Sequence, residues 1–408
     1  MMRHVIFFDF IDEFICDGKY CDSNCCGNWS IEIDKYALAK YRGINDKKLR
    51  EKIKKNMFYN HDQKKHYFLL NKKGKCSFLD SDGLCCIQKN VGEEYLTDVC
   101  AIYPRKYVLF DDYVIKSLSL SCPVAARMLL KENNTLLLVD KIMNLKRDRV
   151  IEKKTVSPKL LQRKWLDIQL TGIKILQFSE LSIRERVFNL CMFCDGVNDL
   201  LKMNCDLEEV DSLINGILKD EQQRELAKLS DNINMDMSLF IIDMFSIVND
   251  FLSKKGEILI TDQDEKYINM LEKYFKLTEK NDVDELMALY KKAEYMFREY
   301  ISKNYPFLKE NYLVYQWFRT TQPIMYDGNI VQSISMFLLF YRLQEFLLIL
   351  LIAQEKNIQE HHIVECISYV TNILEHQHIY FDVCLNYLRK NNYSMIEMIK
   401  IWLPDGAK

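Results

Sequence analysis

The sequence predicts an α+β, predominantly α-helical protein. A small, irregular cysteine-rich metal-binding module with short β-hairpins is followed by a larger all-helical domain. Three observations carry this expectation. Nine of the fourteen cysteines fall within the first 122 residues. No proline lies between Pro158 and Pro306, a gap that suits long helices. Beyond residue 158 the apolar residues recur at helical spacing. A chain of 408 residues fits two domains, and 49% apolar content excludes disorder. We place the cysteine-rich metal or iron–sulfur module in residues 1–150 and the helical domain in residues 158–408. The boundary is the charged stretch that includes Lys141, Lys146, Arg147, Asp148, Arg149, Glu152, Lys153 and Lys154, ended by Ser157 and Pro158.

Along the module, the first residues begin like a secretory signal. Asp9, Asp12 and Glu13 then break the apolar run, and no small-residue cleavage site follows. The expected location is the cytoplasm. In residues 75–88, Asp82 and Gly83 form a turn signal between alternating residues, which is expected to bring Cys76 and Cys85 onto neighbouring strands. Gly92, Glu93 and Glu94 open a short helix whose acidic first turn suits the helix dipole. Cys100 lies near its end, and Pro104 stops it. Residues 107–110 and 113–115, around Asp111 and Asp112, read as a second hairpin. Cys122 and Pro123 close the module, and a helix starts near Ala125.

In the helical domain, Leu161, Trp165, Ile168, Gly172 and Ile175 line one helix face, as do Ile363, Cys366, Ile367, Val370, Ile373 and Leu374. Residues 331–353 are mostly apolar, but Arg342, Gln344 and Glu345 interrupt them at the centre, where a charge in a bilayer costs most. A buried helix or helix pair is expected there, with no membrane insertion.

The chemistry follows from the cysteines. In a reducing compartment, clustered thiols indicate a metal site more often than disulfides. Cys16, Cys21, Cys25, Cys26, Cys76, Cys85, Cys86, Cys100 and Cys122 form the group, and an odd number cannot pair fully. Zinc and iron–sulfur centres both take four cysteines, so both remain open on the residues alone. Cys191 and Cys194 sit in an apolar helical stretch and read as core. Tyr103 and Arg105 are candidates to hold a cofactor carboxylate, against a surface salt bridge as the plain alternative. Glu375, His376 and His378 are candidates for a base, against a helix cap. Trp29 reads as a shield for the metal site. A net charge of −2 and a pI near 6.4 leave nothing global to attract nucleic acid. The chain has no Gly-x-Gly-x-x-Gly, Walker A, His-Glu-x-x-His or Gly-x-Ser-x-Gly motif, so a Rossmann-type nucleotide site is unsupported.

The N-terminal residues resemble the bacterial flagellin lysine-N-methylase family. The matching stretches begin with residues 16–34, which read C-x4-C-x3-CC-x2-W-x-I-x-I-D. They continue with Cys76, Ser77, Phe78, Leu79 and Asp80, then Gly83, Leu84 and Cys85, then residues 92–96. Residues 100–105 and 118–123 complete the set, with Ala125, Ala126 and Arg127. Weaker matches lie at residues 310–314 and at Glu375 and His376. Val124 stands where the family usually has glutamate.

The resemblance implies a protein-lysine N-methyltransferase that moves methyl from S-adenosylmethionine to lysine ε-amines of flagellin, its protein substrate. It also implies a cysteine-ligated [4Fe–4S] cluster, with zinc as the alternative. Metal ligation falls on Cys16, Cys21, Cys25, Cys26, Cys76, Cys85, Cys100 and Cys122, and Cys86 has no counterpart in the family. The reading from another class is a non-catalytic zinc- or iron-chelating cysteine-rich binding or scaffold protein.

Overall fold

A computed structural model describes residues 2–18, 21, 25–27, 31–72, 74–110, 112–145, 147, 151–154, 159–203, 205–254, 262–279, 283–320 and 330–404. The chain forms two compact units. The first comprises Met1–Met128 with Leu138–Lys153, and the second comprises Leu129–Leu137 with Lys154–Lys408. The fold is α+β and mostly helical, as expected.

Unit 1 begins with strand β1 (Met2–Phe8), and its apolar run is the reason it becomes central. Val5, Ile6, Phe7 and Phe8 are all buried, and a strand covered on both faces reads as continuous rather than alternating. Next come β2 (Glu32–Ile33), helices α1 (Lys35–Arg42) and α2 (Lys47–Lys55), and strands β3 (Met57–Asn60) and β4 (Lys65–Phe68). Short helices α3 (Cys86–Val91) and α4 (Asp98–Ile102) follow, then the hairpin β5 (Arg105–Phe110) and β6 (Tyr113–Leu118). That hairpin is the one expected from residues 107–115; Asp111 of its turn lies outside the described residues. Helix α5 (Pro123–Lys131) starts where the sequence indicates.

Strands β7 (Leu138–Asn144) and β8 (Glu152–Lys154) complete a five-stranded sheet of order β7-β1-β6-β5-β8. β1 runs parallel to β6, with Val5 opposite Val114, and antiparallel to β7, with Val5 opposite Lys141. β7 and β8 lie in the charged stretch that the sequence offers as a linker. The largely exposed strand β7 carries Leu138 and Ile142 on the surface beside Asp140 and Lys141. Ser157 and Pro158 lie outside the described residues. A second sheet has the order β2-β4-β3. It shares a core with α1 and α2, built from Ile31, Ile33, Tyr41, Leu49, Ile53 and Phe68, and Cys76 and Phe78 join that core.

Unit 2 is helical: α6 (Lys159–Leu176), α7 (Ile183–Lys202), α8 (Leu207–Ile217), α9 (Asp220–Ala227), α10 (Met237–Ser253), α11 (Asp262–Glu279), α12 (Val283–Asn304), α13 (Leu308–Thr320), α14 (Ile330–Glu355), α15 (Glu360–His376), α16 (His378–Asn391) and α17 (Met395–Trp402). The interrupted apolar stretch is the single helix α14. By length and composition it is able to cross a membrane, yet 94% of its most apolar window is buried inside the unit. Its interrupting charges pair with each other, Arg342 with Glu345, and the Arg342 guanidinium lies over the Phe240 ring at 4.1 Å. A buried guanidinium needs that compensation. Cys191 and Cys194 are fully buried in α7, as core residues.

The apolar face read in residues 161–175 is the inner face of α6. Trp165, Ile168 and Ile175 are buried there. Gly172 stands on the same face because the Trp317 indole of α13 passes directly over it, in the space a Cβ would need. The Trp317 N–H donates to the Gln169 carbonyl at 2.8 Å, and the Gln169 amide donates to the Phe318 carbonyl at 2.8 Å. We expect Gly172→Ala to force the indole off this site and destabilise the protein by about 1–3 kcal/mol, the usual cost of overpacking. Urea unfolding followed by tryptophan fluorescence measures it.

Candidate metal-binding thiol centre

The cysteine region is held by backbone ties between segments distant in sequence. Gly27 pairs with Lys75 in an antiparallel bridge, and the Cys76 N–H donates to the Cys26 carbonyl at 2.6 Å. Cys76 also pairs with Leu70 across a tight turn in which the Lys75 carbonyl accepts from the Asn71 N–H at 2.7 Å.

The next turn differs from the expected hairpin. The Asp80 carboxylate accepts the N–H groups of Asp82 (3.0 Å) and Leu84 (2.9 Å), and Lys89 sits 3.1 Å from its other oxygen. Gly83 takes a φ of +76°, which the turn requires. Cys85 bridges to Leu79 and then caps α3. Cys76 and Cys85 are therefore brought near each other by two successive side-chain-capped turns, not by neighbouring strands. Local Asp–backbone bonds outcompete a ladder here.

Cys100 is placed by Asp34. One carboxylate oxygen of Asp34 caps α1, accepting from Tyr36 (2.9 Å) and Ala37 (3.0 Å). The other accepts the Asp98 N–H at 2.8 Å, at the first residue of α4, which carries Cys100. Thr97 caps α4 by accepting from the Cys100 N–H at 3.4 Å. Arg147 closes the same segment, donating to the Asp98 carboxylate at 2.8 Å and to the Leu96 and Glu93 carbonyls. The expected helix after Gly92 is thus two pieces, a 3-10 turn (Glu93–Tyr95) and α4.

The eight sequence-proposed ligands divide into neighbourhoods. Cys26, Cys76, Cys85 and Cys100 share the core under α1 and the small sheet. Burial pushes Cys76 up to about 11 and Cys100 up to about 12, each raised further by neighbouring thiols, and it raises Cys85 as well. A side-chain hydrogen bond between Cys25 and Cys26 lowers Cys25 and, with burial, raises Cys26. Cys122 is pushed up to about 12 by burial and then by Cys21 and Cys25, a second neighbourhood joined to the first through the Cys25–Cys26 bond. Cys16 is exposed and accepts the Gly18 N–H at 3.4 Å. Cys86 receives the Lys52 ammonium at 3.6 Å.

Of the two cofactor candidates, Tyr103 faces the second neighbourhood. Burial raises its hydroxyl, then Cys122, Cys25 and Cys21 do so, and it bonds to the Ser121 hydroxyl at 3.0 Å. Arg105 donates to the Phe14 carbonyl at 3.2 Å and stacks on the Phe14 ring. Glu375 pairs with Arg319, while His376 ends α15 and His378 begins α16, both exposed. Trp29 lies outside the described residues.

All fourteen cysteines are without disulfides. Among the described residues, no group of three or more His, Cys, Asp or Glu side chains is placed to hold a metal ion. The donor chemistry of the Cys26 neighbourhood nonetheless suits a thiolate-bound centre. It offers sulfur only, from four segments, against an apolar core. Thiols with raised pKa values keep their protons until a cation replaces them. One further sign is the Tyr41 hydroxyl, buried with no hydrogen-bond partner. Its affinity for its proton is raised by burial and then by Cys100, Cys85, Asp34 and Cys76. Sequence reasoning missed Asp34, Arg147 and Tyr41 as parts of this site. An Asp directly before a helical segment is a cap signal and marks Asp34; nothing local marks the other two.

The family model described as the FliB lysine N-methylase C-terminal domain matches residues 170–401. The flagellar biosynthetic protein FliU of Salmonella muenchen is 31% identical over 135 residues, which cover 32% of this chain and 80% of that protein. The lysine-N-methylases of Salmonella typhimurium and Salmonella choleraesuis are each 30% identical over 135 residues, 32% of this chain and 34% of theirs. The match thus spans about a third of the length of these two relatives. No solved structure matches.

Asp34→Ala removes the cap of α1 and the tie to α4 together. We expect a loss of about 1–2 kcal/mol, the upper range for a cap, in urea unfolding. Hydrogen exchange at the Asp98 amide should accelerate more than at amides of β5, which Asp34 does not touch.

Proposed function

This chain belongs to the FliB lysine N-methylase family, and from that premise we propose that it is an S-adenosylmethionine-dependent protein-lysine N-methyltransferase acting on flagellin. The family match carries this reading, because the names of the relatives state lysine N-methylation and flagellar biosynthesis. In this reading it works in the cytoplasm, where reducing conditions keep its thiols free.

The reaction asks little covalent chemistry of the protein. The lone pair of a neutral lysine amine attacks the sulfonium methyl in line. The carbon–nitrogen bond forms as the carbon–sulfur bond breaks, and the amine proton leaves to a base or to solvent. Alignment of donor and acceptor, and an amine held neutral, are what the protein must supply.

For the metal, we assign a [4Fe–4S] cluster to Cys26, Cys76, Cys85 and Cys100. A sulfur-only set in an apolar core supports this choice over the other four candidates. Bound there, the cluster supplies a rigid anchor for the segments around it. Asp34 and Arg147 hold the Cys100 segment, and Asp80 holds the turn before Cys85. Cys21, Cys25 and Cys122, with Tyr103, form an adjoining thiol-bearing patch, tied to the first group through the Cys25–Cys26 bond, that we assign to contact with the methyl donor. A zinc- or iron-binding scaffold is the competing reading, favoured by the short coverage of the full-length methylases.

The test is oxygen-free purification of the full chain, with iron analysis and transfer of labelled methyl to flagellin. Wild type should carry about four irons, the content of the cluster type assigned. Serine substitution of Cys26, Cys76, Cys85 or Cys100 should remove the iron and lower transfer by at least about 100-fold, beyond the usual cost of losing a metal's outer partner. Cys205→Ser should do neither. A zinc protein with no methyl transfer would establish the scaffold. Full transfer by an iron-free variant would separate the cluster from catalysis.

A further inference from the structure

Unit 2 contains a cleft lined by α12, α13, α14 and α15, with about 370 Å³ of free space counted out to its open mouth. Phe297, Leu308, Leu348 and Ile363 give it an apolar surface. Its polar lining comes from Lys309 and Tyr312 of α13 and from Tyr341, Gln344 and Glu345 of α14. A mostly apolar cleft with a few placed polar groups is the usual form of a small-molecule site.

A chain of hydrogen bonds fixes which atom Gln344 presents. An arginine side chain only donates. Arg319 donates to the Gln316 side-chain oxygen at 2.7 Å, so the Gln316 nitrogen is the donor to the Tyr312 hydroxyl, at 2.6 Å. The Tyr312 hydroxyl then gives its own hydrogen to the Gln344 side-chain oxygen. The Gln344 amide nitrogen is left without a partner among the described residues, on a residue only 7% exposed. A buried donor is costly to leave unmade. Lys309 supplies further donors. Its ammonium lies 3.9 Å from Glu345 and 5.8 Å from the centre of the Phe297 ring, and makes no hydrogen bond among the described residues. Glu345 gives one oxygen to Arg342. Its other oxygen takes only a long bond of 3.4 Å from the Tyr341 hydroxyl and has room to accept more. Two cations, Arg342 and Lys309, thus stand against one carboxylate. The network also joins two places that the sequence singles out and the proposed reaction leaves unused: Tyr312, in residues 310–314, and Glu375, which pairs with Arg319.

We propose that this cleft binds the head group of an α-amino acid that carries an apolar side chain. The ligand carboxylate takes the Lys309 ammonium and the Gln344 amide N–H, its α-ammonium donates to Glu345, and its side chain lies on the apolar surface of Phe297 and Leu348. A bare carboxylate leaves the Glu345 oxygen unused. A bare amine, such as the tip of a lysine, leaves the Gln344 donor unused and adds a third cation to the group. Two sources share this chemistry: a free amino acid, and the amino-acid end of the sulfonium methyl donor. The second rests on the methyl-transfer reading; the first does not.

The test is calorimetric titration of the full chain, purified without oxygen. The ligands are L-methionine and S-adenosylhomocysteine, which carries the same head group and has no methyl to transfer. Butylamine and propionate are the single-charge controls. Wild type should bind at least one of the first two and neither control at matched concentration. Binding of L-methionine alone assigns the cleft to a free amino acid. Binding of S-adenosylhomocysteine that depends on Lys309 assigns it to the end of the methyl donor. Lys309→Met should weaken binding by at least about tenfold, the loss of one charge-assisted hydrogen bond. Lys309→Arg should restore most of it, and Lys303→Met, on the exposed side of α12, should change nothing. Gln344→Glu keeps an acceptor for Tyr312 and sets a negative charge against the ligand carboxylate, so it should abolish binding.

No binding of either amino-acid ligand would overturn the inference. So would binding that Lys309→Met and Gln344→Glu leave unchanged, or equal binding of butylamine or propionate. Lys309-dependent binding in a protein that transfers no methyl groups would leave the inference standing and remove the proposed activity. Normal methyl transfer without such binding would do the reverse.

Discussion

The N–H of Cys76 donates to the carbonyl of Cys26, and through that bond two stretches of chain 50 residues apart in sequence lie side by side. Both neighbouring residues, Gly27 and Lys75, join the same bridge. Each thiol of the inner neighbourhood is then added from this tie. The turn organised by Asp80 delivers Cys85 from the segment following Cys76, and the Asp34 carboxylate, eight residues beyond Cys26, draws in the helix that carries Cys100. Closing such loops costs entropy that grows slowly with length, so a few directed bonds suffice to hold them. The thiol geometry depends on backbone and cap interactions first, and on the packing of Phe68 and Phe78 second.

Two physical demands conflict at this place. Burial favours protonated thiols, while a soft metal needs thiolates. The buried Tyr41 hydroxyl has no hydrogen-bond partner in this environment, while Cys25 and Cys26 bond to each other. A metal bound there, as proposed, would resolve the conflict by supplying the charge that the apolar surroundings withhold. Unit 2 has no such dependence. Its core is built around α14, whose only central charges compensate each other, and around the close seat of Trp317 on Gly172.

Much of the helical unit was legible in the sequence. Trp165, Ile168 and Ile175 recur at a helical period because one face of α6 is buried, and the same holds for Ile363, Val370 and Ile373 on α15. The charges within α14 correctly marked a buried helix over a membrane span. The hairpin of β5 and β6 was visible in its alternation. β1 was not, since a fully buried strand lacks alternation and resembles any short apolar run. β7 and β8 escaped because they overlap the charged stretch from Lys141 to Lys154, which reads as a linker. In the cysteine region, the grouping of sulfur-bearing residues was plain, but the division into two neighbourhoods was not. It arises from Asp80 and Asp34 bonding to particular N–H groups, and from Arg147 reaching carbonyls some fifty residues away, none of which leaves a local pattern.

X-ray absorption at the metal edge of oxygen-free protein addresses the central claim most directly, because it reports which atoms touch the metal. The account predicts a first shell of sulfur alone, with neighbouring iron beyond it, and loss of that signal when Cys26, Cys76, Cys85 and Cys100 are all serine. A first shell of nitrogen or oxygen, or a sulfur shell that survives this fourfold replacement, would contradict it.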